Sequence, residues 1–305
     1  MTNARAVAPD IRSGLLAATG AYLLWGVLPL YFKAVGDVPP LVILAHRIVW
    51  SVPTAAVLIA FAGKGRELMA AILNPQVVFA LFASSIAIAT NWTIYIWAVT
   101  SGHVLQGSLG YYINPLISFA LAALFFGERF NRLQILAFAL AMAGVINQAV
   151  VVGQFPWVAL ALATSFAIYG AIRKRVVVDS RVGFTIEVAW LAPAAFAYLV
   201  FFLPQGVAAF GHGDLRSILL LVAAGPITAT PLILFAFGAR RLKLSTIAVL
   251  QYIGPTLQFA IGLAYGEPFT PAHLLTFALI WSGVALFTFA ALRAEHARLP
   301  ALAGE

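Results

Sequence analysis

Residues Ser13 to Phe32 carry no charged side chain, and residues Leu68 to Gly102 carry none either. Comparable uncharged runs recur nearly to the end of the chain, separated by short polar or basic breaks. A helix that crosses a bilayer needs about 20 largely apolar residues, because in hydrocarbon the backbone must satisfy its own hydrogen bonds. Hydrophobic residues fill 63% of the 305 positions and charged residues only 9%, against about 25% charged in soluble domains. So few charges cannot cover a water-facing surface, and a chain this apolar does not stay disordered. The expected class is an all-α integral membrane protein.

The formal net charge of +8 does not point to nucleic acid. Its Lys and Arg residues form short clusters between apolar runs rather than one basic face, a placement suited to helix ends near anionic headgroups. No cysteine is present, which removes disulfides, thiolate metal sites and a Cys nucleophile. Neither a Walker-type loop nor an H-E-x-x-H motif occurs, and the acids are not paired in the spans. No catalytic residue, metal site or cofactor is therefore expected. A signal peptide has a short apolar core, whereas the first run, Ser13 to Phe32, is twenty residues without a charge and reads as a retained span.

Ten spans are expected, near residues 13–33, 41–62, 77–100, 104–126, 133–152, 155–173, 182–203, 216–239, 244–265 and 272–293. Ser101-Gly102-His103 is expected to form a tight turn between the third and fourth. With both termini on one side, that side collects 15 of the Lys and Arg residues, and the other receives Lys33 and Arg216. This asymmetry orients both termini toward the cytoplasm.

The chain also repeats itself. Tyr112-Ile113-Asn114-Pro115, Gly127-Glu128, Phe130, Phe138 and Gly144-Val145 return as Tyr252-Ile253-Gly254-Pro255, Gly266-Glu267, Phe269, Phe277 and Gly283-Val284. The offset is 140 residues, then 139. Ala21–Gly26 (AYLLWG) matches Ser165–Gly170 (SFAIYG) more weakly. Five helices per unit is an odd number, so residues 13–152 and 155–293 are expected as two inverted five-helix repeats, with short tails at 1–12 and 294–305. Arg129 and Arg132 correspond to Pro268 and Pro271, whereas Thr100, Ser101 and His103 correspond to Arg240, Arg241 and Lys243. One hairpin has been recharged for opposite membrane faces. Inverted repeats with a site between them, near the midplane, are a transporter architecture.

Several long strings carry a family resemblance: AYLLWGVLPLYFK at 21–33, LAHRIVWS at 44–51, NWTIYIWAV at 91–99, GHVLQGSLGYYINPL at 102–116 and LQYIGPTLQF at 250–259. On these the sequence resembles the RarD subfamily of the EamA-type drug/metabolite transporter superfamily. The resemblance implies two five-helix repeats and an inner-membrane permease, in a group whose name is linked to chloramphenicol sensitivity. It implies export, which no single residue here shows.

Polar groups inside a bilayer are expensive and concentrate at functional sites. Arg47 is the one basic residue well inside an expected span, flanked by His46 and Trp50. Its guanidinium can hold a carboxylate or phosphate through two parallel bonds, or it can snorkel outward. Glu187 is the carboxylate inside a span, and its depth favours neutralisation by Arg173, Lys174 or Arg181 over pairing with Arg47. Asn91 and Tyr95 share a helix face with Trp92 beside them, Gln106 and Asn114 form a stripe with Tyr111 at its margin, and Gln251 and Gln258 share a face near Tyr252. These residues either line a cavity for a flat, amphipathic or anionic solute or hydrogen-bond between helices. Pro115 and Pro255 are repeat mates inside spans and are expected to break them. The expectation is a permease for a small organic solute in the lipid bilayer, working by alternating access; the alternative is a non-transporting scaffold or sensor.

Overall fold

A computed structural model describes residues 11–36, 38–100, 104–152, 155, 157–202, 215–265 and 271–302. They form twelve helices and no strand: α1 (Ile11–Val35), α2 (Pro40–Phe61), α3 (Gly65–Ile72), α4 (Pro75–Thr100), α5 (Val104–Phe126), α6 (Arg132–Val152), α7 (Trp157–Arg175), α8 (Ser180–Phe201), α9 (Leu215–Arg241), α10 (Leu244–Leu250), α11 (Ile253–Ala264) and α12 (Pro271–Leu302). Among the described residues, seven stretches are long and apolar enough to cross a membrane, with shorter apolar helices at Gly110–Phe126 and Leu274–Ala290. Phe61, Leu124, Phe201 and many other large apolar side chains lie exposed. In water such a surface would aggregate; against lipid it is the matching solvent.

The expected turn at Ser101-Gly102-His103 lies outside the described residues. Three places depart from the ten expected spans. The last helix, α12, runs on to Leu302, past the expected end at 293. The uncharged run after Glu67 is divided, because Asn74-Pro75 stops α3 and starts α4. The Asn74 side-chain oxygen accepts from the backbone N–H groups of Gln76 (3.1 Å) and Val77 (3.3 Å), and Pro75 occupies the first helical turn, where no donor is needed. The ninth span is two helices, α10 and α11, joined through a turn at Gln251-Tyr252. Pro255 then lies in the first turn of α11, where its missing N–H removes no bond. At Pro115 the expected break is absent: α5 runs on through it. There one carbonyl loses its donor, while Tyr112 to Leu116 are buried against neighbouring helices.

Packing places α6 on α12, α5 on α7, α1 on α9, α4 on α7, and α2 against both α8 and α9. At the α6–α12 crossing, a Cβ on Gly144 would lie 2.9 Å from the Thr276 carbonyl oxygen, and a Cβ on Gly283 would lie 2.6 Å from the Ala137 oxygen. Each glycine thus faces the residue seven before the other. Asn147 closes the crossing by donating to Ala272 O (3.0 Å) and Thr276 Oγ1 (2.9 Å). In the centre, Trp25 of α1 and Phe166 of α7 meet at 5.6 Å, and Phe235 of α9 lies 5.8 Å from Trp25 and 5.7 Å from Tyr169.

One end of the bundle, rich in Lys and Arg, is tied by backbone-directed bonds. Lys174 donates to the carbonyls of Leu242 and Ala239, and Arg175 donates to Phe125 O at 2.9 Å. Glu128 accepts from Leu244 N (2.7 Å) and from the Ser245 hydroxyl (2.5 Å), capping α10. Arg173, one of the three cations expected to neutralise Glu187, is only 2% exposed although it lies at a span end. Its Nη1 lies 3.6 Å from Glu187 Oε1, its Nη2 donates to Ser180 O at 3.2 Å, and Ser84 donates to the same carboxylate at 2.5 Å. Gly183 makes room for it, since a Cβ there would lie 2.7 Å from Arg173 Cζ.

Candidate functional site

α2 starts on Pro39-Pro40, which fixes its entry, and carries Arg47 two turns further in. Around Pro53 two hydroxyls turn back onto the helix: Ser51 donates to Arg47 O (2.6 Å) and Thr54 to Trp50 O (2.8 Å). The facing surface of α9 is Gly225-Pro226-Ile227-Thr228, which includes the first of that helix's two internal prolines, Pro226 and Pro231. A Cβ on Gly225 would collide with the Trp50 carbonyl, so only glycine lets α2 and α9 approach this closely. One turn along the same face, Thr228 is 1% exposed, and its Oγ1 accepts from Arg47 Nε at 2.9 Å. Backbone contact and side-chain bond together orient the guanidinium.

Aromatic rings surround that group. Arg47 Cζ lies 5.1 Å from the Trp92 ring centroid of α4 and 6.0 Å from Phe32 of α1, distances at which a cation is attracted to the ring face. Three phenols, Tyr31, Tyr111 and Tyr95, lie within electrostatic range of it. Tyr95 and Tyr111 stand edge to face at 5.8 Å with their hydroxyls paired, and Tyr31 donates to Leu220 O at 3.0 Å. Among the described residues, no carboxylate reaches Arg47; the ion pairs there join Lys64 to Glu67 and Asp179, Arg173 to Glu187, and Arg181 to Asp179. A guanidinium with its Nε engaged and aromatic walls presents its two terminal nitrogens for a planar anion.

Four of the residues singled out from sequence therefore meet: Arg47, Trp92, Tyr95 and Tyr111. His46 is buried beside Arg47 on α2. The amides behave differently. Asn91 donates to Leu162 O (2.8 Å) and Ser165 Oγ (3.1 Å) on α7, and Gln258 donates to Trp25 O at 3.1 Å on α1. Asn114 and Gln251 converge with Ser118 at 3.5 Å, forming a second polar cluster. Tyr252 is buried next to an apolar crevice lined by Pro115, Phe119 and Phe287. Gln106 lies in α5, and its side chain is outside the described residues.

Three partners of Arg47 escaped the sequence reading: Tyr31, Phe32 and Thr228. The run Gly225-Pro226-Ile227-Thr228-Ala229-Thr230-Pro231 carries a usable signal, since two prolines and a glycine within a span mark irregular helix around buried hydroxyls.

Comparison with known proteins agrees with this architecture. The EamA-like transporter family matches residues 12–147. An uncharacterized transporter of Vibrio cholerae is 44% identical over 289 residues, spanning 94% of this chain and 96% of that protein. Protein RarD of Escherichia coli is 42% identical over 290 residues, or 95% and 98% of the two chains. A solved crystal structure at 21% identity shares the fold, with a TM-score of 0.73 over 92% of this chain and 99% of that one. Full-length identity at this level, on a helical bundle faced for lipid, makes the chain a multi-pass bacterial membrane transporter that belongs to the EamA-like transporter family, alongside the RarD proteins.

Proposed function

We propose that the protein is a ten-span permease with both termini in the cytoplasm, built from two inverted five-helix repeats, and that it moves a small organic solute by alternating access. α3 is then a short connector, and α10 with α11 makes one interrupted span. The observation that carries this reading is the meeting of both halves at one charged, aromatic site: Arg47, Trp92 and Tyr111 come from α2, α4 and α5, whereas Thr228 comes from α9. A site shared by two rigid units opens to opposite sides when one unit rocks on the other.

Three further features support the repeat. Exchanging the halves turns the α1–α9 contact into α7–α4, and the α5–α7 contact into α11–α1, and both members of each pair occur. The reciprocal contacts of Gly144 and Gly283 at the α6–α12 crossing are those a two-fold axis generates. Tyr22 and Trp25, matched in sequence to Phe166 and Tyr169, join those mates in one ring cluster around Phe235.

Reconstitution into proteoliposomes tests the reading, with a panel of labelled metabolites and antibiotics as probes. Saturable flux that requires folded protein is the expected result; the absence of flux for every charge class of solute refutes it. Orientation is testable separately. The chain has no cysteine, so single cysteines at Ser101 and Arg129 report sidedness without background. Labelling by a membrane-impermeant maleimide is expected from the outside at residue 101 and from the inside at residue 129.

A further inference from the structure

Arg47 and Glu187 occupy equivalent places. α2 and α8 start at Pro40 and Ser180 and end at Phe61 and Phe201, so both ends are offset by 140 residues. The same offset relates Arg47 to Glu187. Each reaches across to a hydroxyl on the third long helix of the other half: Arg47 to Thr228 on α9, Glu187 to Ser84 on α4. Ser84 corresponds to Ala224, four residues and about one turn from Thr228 on the same helix. The fold thus contains one slot twice.

The two copies differ in their counter-ion. In the second half, Arg173 of α7 enters the slot and neutralises Glu187. Aligning Ala21–Gly26 with Ser165–Gly170 puts Pro29 of α1 at the position of Arg173, so the first half has no charge to offer there. Its place is taken by rings, with Phe32 and Trp92 on the guanidinium and Tyr95 and Tyr111 beside it. An ion in low dielectric without a partner is strongly destabilising. The slot at Glu187 is complete, and among the described residues the slot at Arg47 lacks one negative charge.

We infer that the missing charge arrives with the solute: the permease carries organic monoanions, and a carboxylate on an aromatic or apolar body docks end-on to the two terminal nitrogens of Arg47. This rests on the transporter reading above. One cation with no second Lys or Arg among its described neighbours suits a monoanion, and a planar fork suits a planar carboxylate. Thr228 is a positioning residue, since its bond to Nε turns the terminal nitrogens toward the aromatic walls.

The test uses aromatic monocarboxylates paired with their neutral primary amides, beginning with indole-3-acetate and indole-3-acetamide. Ligand-induced stabilisation of the detergent-purified protein reports affinity. Wild type is expected to favour the acid. Arg47→Gln should weaken acid binding about tenfold or more, as loss of a charge-assisted pair does, and weaken amide binding far less, so that the acid-to-amide preference collapses. Thr228→Val should lower the acid-to-amide ratio, and Thr228→Ser should restore it, which a merely structural threonine would not do. Should Arg47→Gln fail to fold, Arg47→Lys retains the charge without the fork and is expected to lose most of the preference. Wild type that treats acid and amide alike, or Arg47 variants that keep the preference, overturn the inference. Proteoliposomes separate it from its premise: flux of neutral or cationic solutes without flux of monocarboxylates overturns the anion assignment and leaves a transporter, whereas no flux at all removes both.

Discussion

Replacing Arg173 with Met removes the positive charge and keeps an unbranched apolar chain of similar reach. Glu187 then remains 3% exposed with the Ser84 hydroxyl as its partner. At the observed 3.6 Å the direct attraction is about 4–5 kcal/mol at an effective dielectric near 20, and deleting one member of a buried pair costs about 3–5 kcal/mol. Arg173→Met is expected to fall in that range, as is Glu187→Leu, which strands the guanidinium on Ser180 O. The double variant Arg173→Met/Glu187→Leu removes both charges and their desolvation, so it should recover most of the loss, leaving a coupling of at least ~2 kcal/mol. Reversible unfolding in mixed micelles of mild detergent and SDS, followed by far-UV circular dichroism, reads all four proteins. Gly183→Ala supplies an independent arm: its methyl would lie 2.7 Å from Arg173 Cζ, and neither a helix backbone nor a fully packed guanidinium can yield. It should destabilise wild type by more than it destabilises the Arg173→Met variant. Single variants within about 0.5 kcal/mol of wild type, adding without coupling, would refute the claim that these charges form one buried unit.

Gly225→Ala drives a methyl into the Trp50 carbonyl and should separate α2 from α9. A loss of ~1–3 kcal/mol is expected, as for overpacked cores, together with loss of ligand-induced stabilisation; unfolding curves with and without ligand check it. At the α6–α12 crossing, Gly283→Leu meets the Ala137 backbone and Ala141 and should lower folded yield in size-exclusion profiles far more than Leu placed at lipid-facing Ala139. Asp179 answers to acid. Hydrogen bonds from Arg181 hold its carboxyl down at about 2, below the ordinary 3.8. A depressed carboxyl contributes its full stability above its unfolded pKa and loses it as pH falls through the folded one. The Lys64–Asp179–Arg181 contacts should therefore hold at pH 5 and weaken between about 4 and 2, a dependence that Asp179→Asn reduces in pH-scanned melting. Glu128→Ala removes the acceptor of Leu244 N and Ser245 Oγ. It is expected to cost about 1–2 kcal/mol, in the manner of other helix caps, with faster backbone hydrogen exchange at the start of α10.

Most of the helices could be read from the chain because a membrane imposes a one-dimensional rule: an uncharged stretch of sufficient length must close its own hydrogen bonds. α2, α5 and α6 lie within a residue of their expected limits for that reason. Local chemistry modified the rule where apolar character was constant. Asn74-Pro75 cut α3 from α4 inside one uncharged run, and the chain turned at Gln251-Tyr252 but continued through Pro115. Hydropathy is blind to such events, which depend on whether a neighbouring helix covers the freed backbone group.

The candidate site divides in the same way. Residue type and depth were enough to select Arg47, Trp92, Tyr95 and Tyr111, because a charge in hydrocarbon is rare enough to be informative. Which amides face each other was not readable. Asn91 and Gln258 proved to bond to α7 and α1, and a side chain's partner depends on helix rotation, which a nearly uniform apolar surface does not encode. Depth also narrowed the counter-ion of Glu187 to Arg173, Lys174 or Arg181; that it is Arg173, and that it is buried, was decided by α7 and α8 packing with Gly183 as the gap between them.

The amino-acid order alone therefore set the class, most of the long apolar helices and the charge asymmetry, since each follows from the transfer of segments between water and lipid. The exposed or buried fate of individual charges was decided by which helices pack together, and the single hydroxyl that aims Arg47 comes from a helix more than 180 residues away in sequence. Transfer free energy is a property of a segment, whereas a hydrogen bond needs two groups held at one distance, and packing alone supplies the second.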